Sequence, residues 1–247
     1  MEQQRKPRYP ALDLLRGITL ISMMAYHACW NLGHIFGVIR FPYAGGIYLW
    51  QQSICWTFIL LSGFCWSLSR RHLKRGLITL GGAVIIALAT HIAMPDAAIS
   101  FGVLSLMASS MLLMIPLHRI CCKAPSLVGL FSSFLAFLIT KSTGEGYWNL
   151  FGLKLLELPE HLYANYLTAY LGFPSPSFAS ADYFPLIPWF FLYLTGYFLY
   201  RYCSERGFLQ KLPALKFAPL NFLGKNSLLV YLVHQPFIYG VMLLIFQ

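Results

Sequence analysis

The chain has 247 residues, of which 58% are apolar and only 11% charged, and its mean hydropathy is +0.63. A soluble domain of this length does not tolerate so apolar a surface, so the composition excludes a water-soluble protein and predicts a polytopic membrane protein. The formal net charge of +10 requires no nucleic-acid partner, because basic residues on the cytoplasmic side of a membrane protein set its topology and attract the anionic lipid bilayer.

Seven segments are apolar and have about the 20-residue length that a membrane-spanning helix needs. They are 12–36, 46–69, 76–93, 99–116, 126–140, 183–202 and 226–246, the fifth being the shortest. We therefore expect an all-α, polytopic membrane helix bundle of about seven transmembrane helices that forms a single domain over residues 1–247. The first segment is longer than a signal-peptide core, so we expect it to be retained.

The orientation follows from Lys and Arg in the connections between these segments. With the N-terminus in the cytoplasm, that side collects Arg5, Lys6 and Arg8 and most of the later basic residues, whereas the other side keeps only Arg40, Lys141 and Lys154. This bias predicts that the N-terminus is inside and the C-terminus outside.

The first segment carries a stripe of polar residues. Arg16 and His27 are eleven residues apart, which places them on one helix face about 16 Å from each other. Asp13 precedes Arg16 by one turn, and Asn31 follows His27 by one turn. Because charge facing lipid costs at least about 2.5 kcal/mol per residue, we expect the stripe to face other helices or a wet cavity.

Simpler interpretations of these residues remain open. Arg16 lies near the start of the segment and can extend to the membrane surface, with Asp13 as its ion-pair partner or as the helix N-cap. His27 can equally be a hydrogen-bonded histidine between helices.

A basic tract, 69–76 (SRRHLKRG), connects the second and third segments. Arg70, Arg71, Lys74 and Arg75 can bind the phosphates of a nucleotide-bearing cofactor through charge-assisted hydrogen bonds. The alternative is the ordinary positive charge of a cytoplasmic connection.

The longest connection, 141–182, is predicted to lie on the exoplasmic side, and we expect short interfacial helices within 147–171. Asp182 stands at its end, before a segment whose first two turns are made irregular by Pro185 and Pro188. This carboxylate is predicted either to cap a helix or to contact an incoming polar substrate.

The last segment repeats the pattern of the first. Ser227, Tyr231 and His234 fall within about 60° of one another on a helix, and Pro236 removes a backbone hydrogen bond just beyond them. We expect the first and last segments to face each other.

Several stretches together resemble a known family. DLLRG with the downstream His27, FILLSGF at 58–64, ISFGVLSLMASSMLL at 99–113, DYFPLIPW at 182–189 and FLGKNSLLVYLVHQP at 222–236 occur in the order seen in bacterial proteins of the heparan-α-glucosaminide N-acetyltransferase catalytic-domain-like family, within the transmembrane acyltransferase superfamily. Asn31 stands where related proteins often carry an acid, and Ser105 where a histidine is expected.

The resemblance implies an acyltransferase that takes an acyl group, expected to be acetyl, from acyl-CoA and passes it to an acceptor, often a sugar, at the far side of the membrane. Joined to the polar stripes, it predicts His27 as general base or acyl-histidine nucleophile, with Arg16 oriented by Asp13. The basic tract is predicted to hold the coenzyme phosphates. The residues predicted to shape the acceptor side are Asn31, Asp182, Tyr231, His234 and Gln235.

The expected location is a bacterial cytoplasmic (inner) membrane. No Cys or His spacing matches a structural zinc site, so no metal is expected, and a homo-oligomer is left open. A transporter or channel for a small polar solute is the rival prediction, because it also lines a helix bundle with polar residues.

Overall fold

The computed structural model describes residues 8–246, and 71% of these residues are helical. Arg5 and Lys6, which contribute to the predicted orientation, lie outside the described residues. The chain divides into two compact units, 8–61 with 208–246 (the terminal unit) and 62–207 (the central unit). The expectation of a single domain stays a prediction.

Each of the seven segments predicted from the sequence contains a long helix. The helices are α1 (Pro10–His34), α2 (Gly45–Trp66), α3 (His72–Ala93), α4 (Val103–Cys121), α5 (Ser126–Thr140), α7 (Leu186–Glu205) and α9 (Ser227–Phe246). Two shorter helices, α6 (Tyr166–Leu171) and α8 (Ala218–Lys225), lie in connections. The predicted and observed bounds differ most for α4, which was predicted to end at Pro116 and continues to Cys121.

Four helical segments within residues 8–246 are long and apolar enough to cross a membrane, which confirms a membrane protein. They are His72–Ala93, Val103–Cys121, Ser126–Glu145 and Ser227–Phe246. The count of about seven and the side on which each terminus lies stay predictions.

In the terminal unit, α1 and α8 approach until their backbones touch. A Cβ atom on Gly17 would collide with the carbonyl oxygen of Leu220, and one on Gly224 would collide with that of Asp13. Only glycine allows this approach, which brings α8 against the first turns of α1. Further along α1, Leu20 and Met23 are buried in a core with α2.

In the central unit, α5 packs along α7. Gly129 lies beneath the ring of Phe198, and the hydroxyls of Ser133 and Thr195 are 3.1 Å apart in the buried interface. The irregular start predicted for α7 is confirmed, because Ile187 has non-helical backbone angles (φ −96°, ψ 128°) between the two prolines.

The connection after α5 differs from the expected run of short interfacial helices. Residues Tyr147–Leu150 (β1) and Leu153–Glu157 (β2) form an antiparallel hairpin, and only the later part holds a helix, α6. The expectation was wrong for the hairpin because Phe151 and Gly152, both with positive φ, form a two-residue turn that reverses the chain and pairs the flanking residues as strands.

Candidate functional site

Asp13 is the buried carboxylate of the terminal unit. It lies in the first turn of α1 and is only 4% exposed. Arg16 donates to Oδ1 at 3.1 Å, and Arg8 donates from Nε to Oδ2 at 2.8 Å. The contact that the sequence predicts between Asp13 and Arg16 is therefore present, with Arg8 as a second partner.

Arg8 was not a predicted site residue. From the sequence it belongs only to the basic segment before α1. Its spacing of five from Asp13 was the available signal, but that spacing is not a standard helical pair. The contact forms because Tyr9 precedes the helix in an extended conformation and brings Arg8 back toward the carboxylate.

Two imidazoles meet where α1 faces α9. The ring centroids of His27 and His234 are 5.0 Å apart, and their planes are inclined by 51°. His234 is 6% exposed, and its Nδ1 donates to the carbonyl oxygen of Tyr231 at 2.6 Å. A proton on Nδ1 leaves Nε2 as an acceptor, and Nε2 is a buried atom without a hydrogen-bond partner among the described residues.

An amide pair lies beside these histidines, with Asn31 one turn along α1 from His27 and Gln235 directly after His234 on α9. Gln235 donates from Nε2 to Oδ1 of Asn31 at 2.9 Å, and Asn31 is completely buried. The other atoms of the two amides, Nδ2 of Asn31 and Oε1 of Gln235, are buried and have no partner in residues 8–246. The prediction that the first and last long helices face each other is thus confirmed.

The three unpartnered atoms in this region of α1 and α9 are a donor, Nδ2 of Asn31, and two acceptors, Nε2 of His234 and Oε1 of Gln235. Leaving such an atom unpaired in a protein interior costs about 1–3 kcal/mol. A hydroxyl or amine, which both donates and accepts, has the complementary chemistry. His27 lies beside these three unpartnered atoms. Because α1 is continuous from Pro10 to His34, its helical rise sets the distance between Arg16 and His27.

The basic tract lies in the central unit, at the beginning of α3. Arg71 is the N-cap residue of this helix, and Lys74 and Arg75 lie in its first turn. The partial positive charge of a helix N-terminus adds to that of the side chains, so this end of α3 favours anions.

Arg75 also lines a small cleft. The indole of Trp66 and the imidazole of His72 are stacked in its wall, with centroids 4.0 Å apart and planes 20° apart. Neither aromatic residue was predicted as a site residue. The position of Trp66 just before the tract and of His72 within it was the only sequence signal, and the stack depends on how α2 ends.

Asp182 is held at the start of α4. Its Oδ2 accepts a hydrogen bond from the backbone N–H of Val103 at 3.0 Å. Burial raises the pKa of this carboxyl to about 6, while the bond from Val103 acts in the opposite direction. The carboxylate therefore caps α4 and not α7, the helix that it precedes and that the sequence predicts it to cap. Contact with an acceptor stays a prediction.

The structure thus brings together one set of predicted residues. Asp13 and Arg16 lie at one end of α1, and His27, Asn31, Tyr231, His234 and Gln235 lie further along it against α9, all in the terminal unit. The basic tract and Asp182 belong to the central unit. In residues 8–246 no three His, Cys, Asp or Glu side chains lie close enough to hold a metal ion.

Comparison with known proteins identifies the family of the chain. No curated protein and no solved structure matches the chain. The family model for the catalytic region of heparan-alpha-glucosaminide N-acetyltransferase matches residues 8–236, which include α1, the basic tract, Asp182 and the histidine of α9. The chain therefore belongs to the heparan-alpha-glucosaminide N-acetyltransferase catalytic-domain family of membrane acetyltransferases.

Proposed function

We propose that the protein transfers an acyl group, acetyl in the first instance, from cytoplasmic acyl-CoA to a hydroxyl or amine of a sugar-like acceptor at the exoplasmic side of a bacterial cytoplasmic membrane. The observation that carries the proposal is the meeting of His27 with His234 beside three unpartnered polar atoms of α1 and α9. Family membership supports acetyl transfer.

In this proposal the terminal unit holds the chemistry. Arg16 and His27 mark two points about 16 Å apart along α1, a separation that suits the extended pantetheine arm of an acyl-CoA. Asp13 holds the Arg16 guanidinium through the 3.1 Å ion pair. His27 then stands at the thioester end.

The acceptor binds through the unpartnered atoms. Asn31 donates from Nδ2 to an oxygen of the acceptor, and Oε1 of Gln235 and Nε2 of His234 accept from neighbouring O–H or N–H groups of the same molecule, so that the reacting hydroxyl or amine keeps its proton for His27. These contacts also recover the free energy that the three unpaired atoms cost the ligand-free protein.

His27 acts as general base in the proposed reaction. It takes the proton from the acceptor O–H or N–H while the acceptor lone pair attacks the thioester carbonyl carbon. The new C–O or C–N bond forms, the C–S bond breaks, and the imidazolium returns the proton to the leaving thiolate. The products are the acylated acceptor and free coenzyme A.

The central unit supplies the anion-binding tract. The coenzyme phosphates are held by Arg70, Arg71, Lys74 and Arg75. Asp182 contacts the incoming polar acceptor, as the sequence predicts. The cationic side chains, the N-terminus of α3 and the stacked Trp66 and His72 are all suited to a nucleotide.

The test uses purified protein in lipid nanodiscs with radiolabelled acetyl-CoA and a panel of amino sugars and simple glycosides. We expect protein-dependent release of free thiol, with label transferred to one class of acceptor. Without an acceptor, thioester hydrolysis is expected to be slow but measurable. Uptake of a labelled sugar by proteoliposomes, without thiol release, would instead support the solute transporter.

A further inference from the structure

The hairpin of the central unit has an unusual surface. At its tip Phe151 is 88% exposed, and in β2 Leu153 and Leu156 are 73% and 51% exposed. Large apolar side chains on an exposed edge strand are unfavourable in water and promote association. The surface therefore fits an apolar environment better than it fits water.

A bulge divides the hairpin into two chemically different faces. The pairing shifts between Trp148 and Asn149, so Leu155 is the additional residue of β2. On each side of this shift, alternation along the strands places the apolar residues on one face and the polar residues on the other. The apolar face consists of Trp148, Leu150, Leu153 and Leu156, and the polar face of Tyr147, Asn149, Lys154 and Glu157.

The side-chain contacts agree with this division. On the polar face, Lys154 donates to Glu157 at 2.7 Å and lies over the ring of Tyr147, 5.1 Å from its centroid. Both ends of the ion pair are well exposed. This face is fully compatible with water.

The turn also presents an apolar residue where the backbone does not favour it. Phe151 and Gly152 both have positive φ, 49° and 86°, as in the turns that close two-residue hairpins. Asn, Asp or Gly is the favoured residue at the first of these positions. A phenylalanine there is unfavourable for the turn, which points to a role for its side chain.

The hairpin is fastened to the end of a candidate membrane span. Thr143 donates from its hydroxyl to the carbonyl oxygen of Thr140, the last residue of α5, at 2.6 Å. Trp148 donates from Nε1 to the hydroxyl oxygen of Thr143 at 3.0 Å. The candidate span that contains α5 reaches Glu145, so the hairpin, which begins at Tyr147, follows that span directly.

We propose that this hairpin lies in the membrane interface, with Phe151 and the Leu153–Leu156 side inserted among the lipid chains and the Lys154–Glu157 side in water. The occupant of the apolar face is the lipid monolayer at the end of α5. An amphipathic element with a tryptophan at headgroup depth is typical of such a position. The inference holds whichever side of the membrane the hairpin is on.

The test places a dansyl-bearing amino acid at single positions of the full-length protein in nanodiscs, which leaves the native cysteines unchanged. Leu153 and Lys154 form a matched pair of adjacent residues on opposite faces, and Phe151 reports the tip. Ile85, exposed within the candidate span of α3, is the lipid control, and Ser177, in an exposed loop, is the aqueous control.

We expect brominated lipid to quench the probe at 151 and 153 as strongly as at 85, and aqueous iodide to quench it at 154 as strongly as at 177. Iodide quenching at 153 equal to that at 154 would overturn the proposal. Protection of position 153 from both quenchers would also overturn it, because the face would then be covered by protein, such as a second copy of the chain.

Discussion

The two units use buried polar groups in different ways. In the central unit such groups mostly join helices: Ser133 meets Thr195 between α5 and α7, and Arg201 donates to the carbonyl oxygens of Cys121 and Ala124 at 2.6 and 2.8 Å. Its unpaired buried atoms are hydroxyls, which rotate to suit their surroundings. They belong to Ser62, Ser110 and Tyr193.

In the terminal unit the unpaired atoms belong to an imidazole and two amides, and they cluster on the facing sides of α1 and α9. These groups have fixed donor and acceptor directions, so they cannot adapt as hydroxyls do. Buried polar groups that stabilise helix packing are satisfied by protein, whereas groups that await a ligand are left open at a cost in stability. The difference predicts where substitutions affect activity and where they affect stability.

The largest effect is expected for His27→Ala. Loss of a general base lowers turnover by a factor of about 100 to 10,000, while coenzyme binding largely survives. The measurement is thiol release from acetyl-CoA, together with the Tm in detergent with and without acetyl-CoA.

His34→Ala is the matched control, because His34 lies on the same helix but is exposed and stacks on Trp30. A His27→Ala protein that is less stable yet fully active would make His27 an interhelical packing residue, since hydrogen bonds between membrane helices contribute only about 0.6 kcal/mol on average. His234 would then be the next candidate base.

The basic tract gives the next effect. Replacing Arg70, Arg71, Lys74 and Arg75 with Gln removes charge-assisted contacts to phosphate, each worth about 1.5–3 kcal/mol, and one such contact alone corresponds to a more than tenfold loss of affinity. Titration calorimetry with coenzyme A measures this loss. The control is the double variant Lys211→Gln with Lys216→Gln, which removes positive charge that the sequence predicts on the same side of the membrane but outside the basic tract. If both variants bind coenzyme A as tightly as the parent, the tract serves topology only.

The facing side chains of α1 and α9 were predictable because helical periodicity alone puts Arg16, His27 and Asn31 on one stripe and Tyr231 and His234 on another. Apolar segment length likewise predicted the long helices. The hairpin was not predictable, because its amphipathic character exists only with the bulge after Trp148, which no simple alternation in the sequence reveals. The Arg8 contact was hidden for a similar reason, since it depends on the extended backbone of Tyr9.

The amide pair allows stability to be separated from function. Asn31→Leu combined with Gln235→Leu removes both partners and both unpaired atoms, which is expected to leave the Tm unchanged or raise it. Activity should nevertheless fall, by about tenfold per lost acceptor hydrogen bond. In the central unit, Ser133→Ala should lower the free energy of unfolding by about 0.6 kcal/mol and leave thiol release unchanged. If the Asn31→Leu, Gln235→Leu protein lost as much stability as Ser133→Ala, the buried polar groups of the two units would not differ in their role.

The smallest effect on activity concerns the two buried carboxylates, whose difference is the reverse of that between the units. Asp13 is held by two arginines, whereas Asp182 has a single backbone N–H at Oδ2 and a pKa raised to about 6 from an ordinary 3.8. Between these two pKa values the folded protein binds a proton that the unfolded chain has released. The contribution of Asp182 is therefore full below about pH 4 and is lost as the pH rises through 6.

The loss amounts to about 3 kcal/mol in the free energy of unfolding. Asp182→Asn cannot titrate, but its amide oxygen can still accept from Val103, so the variant should show a flatter Tm profile between pH 4 and pH 7. The measurement is a series of melting curves at fixed ionic strength, with the parent protein beside the variant. If the parent and the variant lose stability in parallel across this range, other groups set the pH dependence. A variant that is also inactive at every pH would support the predicted contact of Asp182 with the acceptor over a role confined to capping α4.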